Sequence, residues 1–505
     1  MNNNFFVIGT SSQHIVNGVV EFCNKTGDYP AIWTCGPDEI SAIKKRLPDT
    51  RFLNVFDLAC GDVEKIKQIL GISFWNPDIF LQKFHEDYSK ERFMVLENLL
   101  HRSDPGGAYS HSELRDLVNA YFLIALSLIK KYDPKFIFFE VAPHIMYDLA
   151  IYYVAKMLGV PTLLLMDTNL PEISFGTFSF DDPHPFVRVP VARQKKHEYK
   201  RKRINEQVAN QKNNVPFYMS QKKYSRSLGL MVRQSFGLIR FWGLSKFNQT
   251  NGIKNSYEKI PGVLLHKKSG RPFSLIRQFW NYCVLERFYI DLSRGFAGEG
   301  LESLRPYVYV PLSLQHERTT MPCAGFMYNQ KSYIQALKAA LPPNYNIVIK
   351  ENPKQFDYGY LNGITNRDKE FYKSLSGNNV FFAPLDYSTH DLIASSVCVA
   401  VTTGSAGFEA IVGHQIPAVC FSKNWYCNLE GAYNVSTYED LQSFFDRLEA
   451  KSISINQEKL QQQLEELADE ALYLWPEGST VIDNHWDQNA MAHNVCELLK
   501  VVSGC

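Results

Sequence analysis

A chain of 505 residues exceeds what one hydrophobic core ordinarily organises, so two or three domains are expected. Hydrophobic residues at 45% and aromatics at 13% are ample for packed cores. Lys+Arg 53 against Asp+Glu 52 leaves the chain nearly neutral, which argues against a protein that coats nucleic acid or a broad anionic surface. The cysteines form neither CxxC pairs nor Cys/His clusters at metal-ligand spacing, and read as reduced core thiols of a cytosolic protein with no metal site.

The first residues, MNNNFFVIGTSS, enter a strand directly, without a basic n-region or a leader-type cleavage site. No window approaches the ~18 uninterrupted apolar residues of a membrane span. A cytoplasmic protein is expected, one that meets a membrane only from its inner face.

Phe5 to Gly9 predicts a buried strand, His14 to Cys23 a helix, Ala31 to Cys35 a strand, Pro37 to Lys45 a helix and Arg51 to Leu58 a third strand. Such alternation predicts a parallel, doubly wound sheet. Val63 to Leu70 and Ser89 to His101 look helical, and Asp104 to Gly107 (DPGG) is a turn. Leu114, Leu117, Val118, Tyr121, Phe122, Ala125 and Leu128 recur at helical spacing within Ser112 to Lys131. Phe136 to Phe139 is a wholly apolar strand, Pro143 opens a helix that runs to Leu158, and Thr162 to Met166 is the next parallel strand. Two acids therefore sit where strands end, Glu140 and Asp167, facing the crevice at the carboxyl edge of the sheet, with His144 at the start of the intervening helix. A helix cap for Glu140, a surface imidazole for His144 and a turn-closing role for Asp167 remain open.

From Arg193 to Arg277 basic residues are dense, RQKKHEYKRKR at 193–203 above all, with aromatic and aliphatic residues interleaved, as in Leu228 to Trp242. This segment predicts an insertion of helices and long loops whose positive surface suits anionic lipid headgroups or a lipid-diphosphate acceptor, or simply a solvated linker. No reading motif for nucleic acid accompanies the charge.

A second α/β run starts at Arg305-Pro306. Strands are predicted at Tyr307 to Pro311, Tyr345 to Lys350, Val380 to Ala383, Val397 to Val401 and Ile416 to Phe421, and helices near Gln330 to Leu341, Lys369 to Leu375, His390 to Ser395 and Phe408 to Val412. Three loops that follow strands are expected to converge on one crevice: Pro311 to Pro322, Val348 to Phe356, and the small-residue turn Thr402 to Glu409. They supply Gln315, Lys350, Glu351, Glu409, Thr403, Ser405 and a helix N-terminus near Ala406, a mixture suited to the phosphate, ribose and base of a nucleotide. Gly404 and its small neighbours let a ligand approach the backbone; close packing is the competing account of the same residues. Tyr438 to Val501 reads as a largely helical tail that returns to the first domain. The expected divisions are 1–180 for a Rossmann-like acceptor domain, 181–304 for the basic insert, 305–440 for a Rossmann-like nucleotide-sugar domain and 441–505 for the tail.

The strings YVYVPLSLQHERTTMP, NYNIVIKENPKQF and LIASSVCVAVTTGSAGFEAIVGHQIPAVCFSKNWY resemble the capsule polysaccharide biosynthesis glycosyltransferases, the group of the bacterial β-Kdo transferases. The resemblance covers roughly 305–440 and is weaker over 1–180. It implies a GT-B architecture, two Rossmann-like domains facing across a cleft. It also implies a metal-independent cytoplasmic enzyme of surface glycan assembly with no cofactor beyond its donor, a nucleotide sugar, often a CMP-activated ulosonic acid, and a glycan or lipid-linked acceptor. By this resemblance Gln315 matches a polar residue of the first loop, Lys350-Glu351-Asn352-Pro353 a Lys-Glu-His-Pro loop, and Thr403, Gly404, Ser405 and Ala406 with Glu409 the phosphate and ribose loop. Asn352 departs from the pattern, since an amide cannot become cationic as imidazole can. The catalytic expectation is Asp167 as nucleophile or base, with Glu140 and His144 as partners. A sugar-nucleotide epimerase, a teichoic-acid-type polyol-phosphate transferase and a non-catalytic assembly protein are the competing readings.

Overall fold

The computed structural model describes residues 2–9, 12–59, 61–71, 82–100, 110–168, 170, 172–209, 273–315, 317–356, 367–475 and 486–504. The turn at Asp104 to Gly107 and most of the basic insert, Leu228 to Trp242 included, lie outside these. Two sheets carry the chain. The first contains β1 (Asn2–Ile8), β2 (Asp28–Cys35), β3 (Arg51–Asn54), β4 (Phe136–Phe139), β5 (Thr162–Asp167), β6 (Ile173–Thr177) and β13 (Leu472–Tyr473). Their spatial order is β13-β6-β5-β4-β1-β2-β3, with β1 to β5 parallel and β6 antiparallel to β5. The second is wholly parallel in the order β12-β11-β10-β7-β8-β9, built from β7 (Tyr307–Pro311), β8 (Asn346–Lys350), β9 (Val380–Phe382), β10 (Cys398–Val401), β11 (Ala418–Cys420) and β12 (Ala432–Asn434). This is the two-domain, Rossmann-like, GT-B-like arrangement.

Strands buried on both faces read as unbroken apolar runs, and the central ones here obey that rule. Phe136 to Phe139 are all buried, and Phe5 stacks on Phe136 at 4.9 Å with Phe22 edge-on at 5.6 Å. An apolar seam joins the domains. Phe175 of β6 stacks on Phe186 at 4.1 Å and lies 6.3 Å from Trp425, which packs on Phe408 at 4.6 Å.

Several elements differ from their predicted form. The third strand stops at Asn54, and Val55–Ala59 coils into a helical turn. The helix expected from Pro143 starts at Met146, where Asp148 Oδ1 accepts the Ile145 N–H at 2.7 Å and closes its first turn. His144 therefore sits in the approach loop. The small-residue turn leads into an α-helical turn, Ala406–Phe408, that widens to π geometry over Glu409–His414.

The tail is not all helix. After the helix Gln457–Glu470, Leu472 and Tyr473 pair antiparallel with Ile173 and Ser174, so β13 covers the edge of β6. An open edge offers unpaired backbone groups, and satisfying them outweighs the helical preference of ELADEALYLW. The final helix, Gln488–Ser503, then packs along the helix Gln13–Thr26 of the first domain. The long helix Phe273–Glu299 lies against β9 instead, and Tyr289 donates to the Ala383 carbonyl at 2.8 Å. Among the described residues no helix is long and apolar enough to cross a membrane.

Candidate functional site

Strand order reverses between β1 and β4 in the first sheet and between β7 and β10 in the second. Loops at the carboxyl ends of such strands diverge and leave a crevice, the usual ligand position of open α/β sheets. In the first domain that crevice is closed over Glu140. Its Oε1 accepts from both the N–H and the Oγ of Ser12, each at 3.0 Å, and the residue is buried. Gly9 makes this closure possible, with φ at +140° and a position where a Cβ would lie 2.9 Å from the Glu140 Cβ. Glu140 thus ties the β1 loop to the β4 end rather than facing open solvent. His144, half-buried, places Nδ1 2.9 Å from the Ala142 carbonyl. Asp167, the last residue of β5, reaches further out and pairs with the Arg318 guanidinium, which comes from the loop after β7 in the other domain.

The three loops of the second domain do meet. Thr403 Oγ1 donates to the Thr319 carbonyl, joining the loops after β10 and β7. The Gln315 N–H donates to Gln355 Oε1 at 3.2 Å, joining the loops after β7 and β8. Gln315 and Glu351, however, point inward. Gln315 Oε1 accepts from Gln330 Nε2 and from Arg367 Nη1, both at 2.8 Å, and its Nε2 donates to the Tyr328 carbonyl at 2.8 Å. Glu351 pairs with Arg367 at 2.8 Å and accepts from Tyr372 at 2.7 Å. Both side chains hold the walls of the site, because a buried polar group keeps the partners that offset its lost hydration. Asn352 Oδ1 accepts the Lys354 N–H at 3.0 Å and so organises the single turn Pro353–Phe356.

Lys350 ends β8 and donates to the Tyr387 carbonyl at 2.6 Å and to Thr389 Oγ1 at 3.0 Å. Burial pushes its ammonium down to about 8, against the opposing pull of Asp386. Glu409 is buried and accepts from Ser405 Oγ at 3.0 Å. Burial raises its carboxyl, with Ser405 and the nearby His390 opposing. His390 Nδ1 lies 3.2 Å from His414 Nε2 beside this pair.

The small residues of the turn divide by role. A Cβ on Gly407 would lie 2.5 Å from the Tyr426 hydroxyl oxygen, so that glycine serves packing, whereas a Cβ on Gly404 would meet nothing nearer than Ser313 Oγ at 3.6 Å. Gly404 and Ser405 thus form the accessible lip, with Thr403 buried beneath it and Ala406 starting the helix behind it. A cavity of about 540 Å³ opens at the domain junction beside β11, lined in part by Asp182, His184, Lys423 and Trp425.

Sequence reading passed over Ser12, Arg318 and Arg367. Arg318 stands in the string ERTT of the loop after β7, and a cation in a strand-end loop is the one sequence signal for its pairing with the strand-end acid Asp167. Among the described residues no group of three or more His, Cys, Asp or Glu is placed to hold a metal ion.

No protein-family profile matches the chain, and no curated protein matches it in sequence. Among solved structures it is similar to the β-Kdo 2,7 transferase of Thermosulfurimonas dismutans KpsC, with 11% identity and TM-score 0.29 over 78% of this chain and 91% of that one. The β-Kdo 2,4 transferase of the same protein gives 13% identity and TM-score 0.27 over 67% and 79%. UDP-GlcNAc 2-epimerase from Methanocaldococcus jannaschii gives 12% identity and TM-score 0.24 over 92% and 99%. Matches of this size assign neither a family nor an activity to the chain.

Proposed function

We propose that the protein is a glycosyltransferase of bacterial surface polysaccharide assembly. It moves a sugar, in our reading a CMP-activated ulosonic acid, from a donor held by the second domain to a glycan or lipid-linked acceptor on the first. The observation that carries this reading is the Asp167–Arg318 contact. It sets the last residue of β5 against the loop after β7, so the carboxyl edges of the two sheets face each other across one gap. A donor phosphate would lie by Lys350, Asn352, Pro353 and the lip Gly404-Ser405, with Thr403, Ala406 and Glu409 behind them. Transfer requires the anomeric C–O bond to break with its electron pair leaving on the phosphate. The acceptor oxygen forms the new bond and gives up its proton to a carboxylate, or a carboxylate attacks first and is then displaced. In this reading Asp167 is that carboxylate, while Glu140, fastened to Ser12, and His144, against the Ala142 carbonyl, shape the neighbouring loop. The chemistry is metal-independent, with cationic and amide donors in place of a metal ion.

Thermal-shift measurements with CMP, CDP, UDP and GDP test the donor side. CMP at about 100 times its Kd should stabilise the second domain by about 2.7 kcal/mol, and no shift with any nucleotide would end the proposal. Formation of product from a nucleotide sugar without acceptor would show an epimerase.

Lys350 adds a pH signature. Its cation is present below pH about 8 and lost above it, so nucleotide affinity should fall by up to about tenfold per pH unit above that point. Stability runs the other way. An unfolded lysine keeps its proton to about 10.4, so between about 8 and about 10.4 the unfolded chain binds more protons and the empty protein gains stability as pH rises. Calorimetric titrations across this window check both signs, and Lys350→Met should flatten the affinity profile.

A further inference from the structure

A cavity of about 700 Å³ lies well away from the carboxyl-edge gap, lined in part by Lys25, Arg193, Lys195, His493, Glu497 and Lys500. Lys25 stands near the end of the helix Gln13–Thr26, which begins beside Ser12 at the Glu140 loop. Fourteen helical residues separate the two ends by about 21 Å. The cavity is therefore at the opposite edge of the first sheet.

Its cations outnumber its carboxylates. Lys25 is paired with Glu21 at 2.6 Å and Lys500 with Glu497 at 2.7 Å, while Arg193 and Lys195 are exposed and, among the described residues, form no ion pair. The backbone that presents these two cations is fixed. The Lys195 N–H donates to Asn494 Oδ1 at 2.8 Å, the Lys195 carbonyl accepts from Asn494 Nδ2 at 3.2 Å, and the Arg193 carbonyl lies 3.0 Å from His493 Nε2. Between them Gln194 is buried, donating to the Val189 and Asp469 carbonyls at 2.8 and 3.0 Å and accepting from the buried Lys200 at 2.7 Å. A loop clamped this tightly loses little further freedom when it binds, which favours a ligand site over a solvated linker.

We propose that this cavity binds a phosphate-bearing anionic group, with Arg193 and Lys195 as its direct partners and Lys25 and Lys500 as flanking charge. Its volume accommodates a diphosphate or a lipid headgroup, and the unbalanced cations supply the attraction. This site is independent of the donor site and of the reaction assigned above.

The test uses the full chain with pyrophosphate in calorimetry, and with phosphatidylcholine vesicles, with and without phosphatidylglycerol, in flotation. Two variants are compared, the double substitution R193E/K195E in the cavity and K202E on the exposed face of the adjoining helix. Binding of pyrophosphate that weakens by at least about tenfold in R193E/K195E and not in K202E supports the site. If phosphatidylglycerol vesicles show the same pattern, the source is a lipid headgroup; if pyrophosphate alone does, it is a soluble phosphate. No binding of either probe, equal binding by R193E/K195E, or equal loss in both variants overturns the proposal. Circular dichroism melts of both variants matching the parent chain establish that the losses are local.

Discussion

Asp167→Asn should cut glycosyl transfer by roughly 10²–10⁴-fold and leave nucleotide binding unchanged. The substitution keeps the shape and a hydrogen-bond acceptor, and removes the charge that takes a proton or attacks the anomeric carbon. It also weakens the contact with Arg318, so loss of activity alone does not separate chemistry from a latch between the domains. Arg318→Gln makes that separation. If Asp167 acts on substrate, the Arg318 variant keeps kcat within about tenfold of the parent and changes chiefly KM, because it disturbs how the domains meet and leaves the carboxylate in place. Equal losses of kcat in the two variants would reduce Asp167 to a structural partner. Nucleotide binding measured in parallel keeps the donor site out of the comparison, since Lys350, Ser405 and Gly404 belong wholly to the second domain.

What the sequence reveals follows from which interactions are local. Apolar runs such as Phe136 to Phe139 and Cys398 to Val401 announce buried parallel strands by themselves, because they are apolar on both faces. The loops after β7, β8 and β10 are legible for the same reason, as they must follow those strands. The orientation of each side chain in a loop is not legible. Gln315 and Lys350 are both polar residues near strand ends, yet one is fastened by Gln330 and Arg367 inside the domain and the other donates to the segment after β9. Their partners lie 13 to 52 residues away, beyond any periodicity. The strand at Leu472–Tyr473 was hidden likewise, since its only cause is the β6 edge some 300 residues earlier, as the Ser174 bond to the Leu474 carbonyl shows.

Arg367→Met should destabilise the second domain by about 3–5 kcal/mol, because it strands the Glu351 carboxylate in the interior. The two side chains are 1% and 0% exposed. Arg367 also donates to Gln315 Oε1 at 2.8 Å and to the Ser313 carbonyl at 3.2 Å, so one guanidinium spans the loops after β7 and β8. Tyr372 and the Asn352 N–H complete the carboxylate's shell at 2.7 and 2.9 Å. Removing the cation leaves these donors in place and the charge uncompensated. The double variant E351Q/R367M removes both charges and should recover part of the loss, since neutral side chains of similar volume are tolerated where a broken pair is not. Urea unfolding followed separately in each domain reads the effect, as a two-domain chain has no single transition. An unfolding free energy of the second domain that stays within about 1 kcal/mol of the parent would mean that the pair sits in a wetter setting than its burial implies. The expected loss would also reach function: with Gln315 and Ser313 released from Arg367, the lip at Gly404 loses the wall behind it, and nucleotide affinity should fall even at temperatures where the domain remains folded.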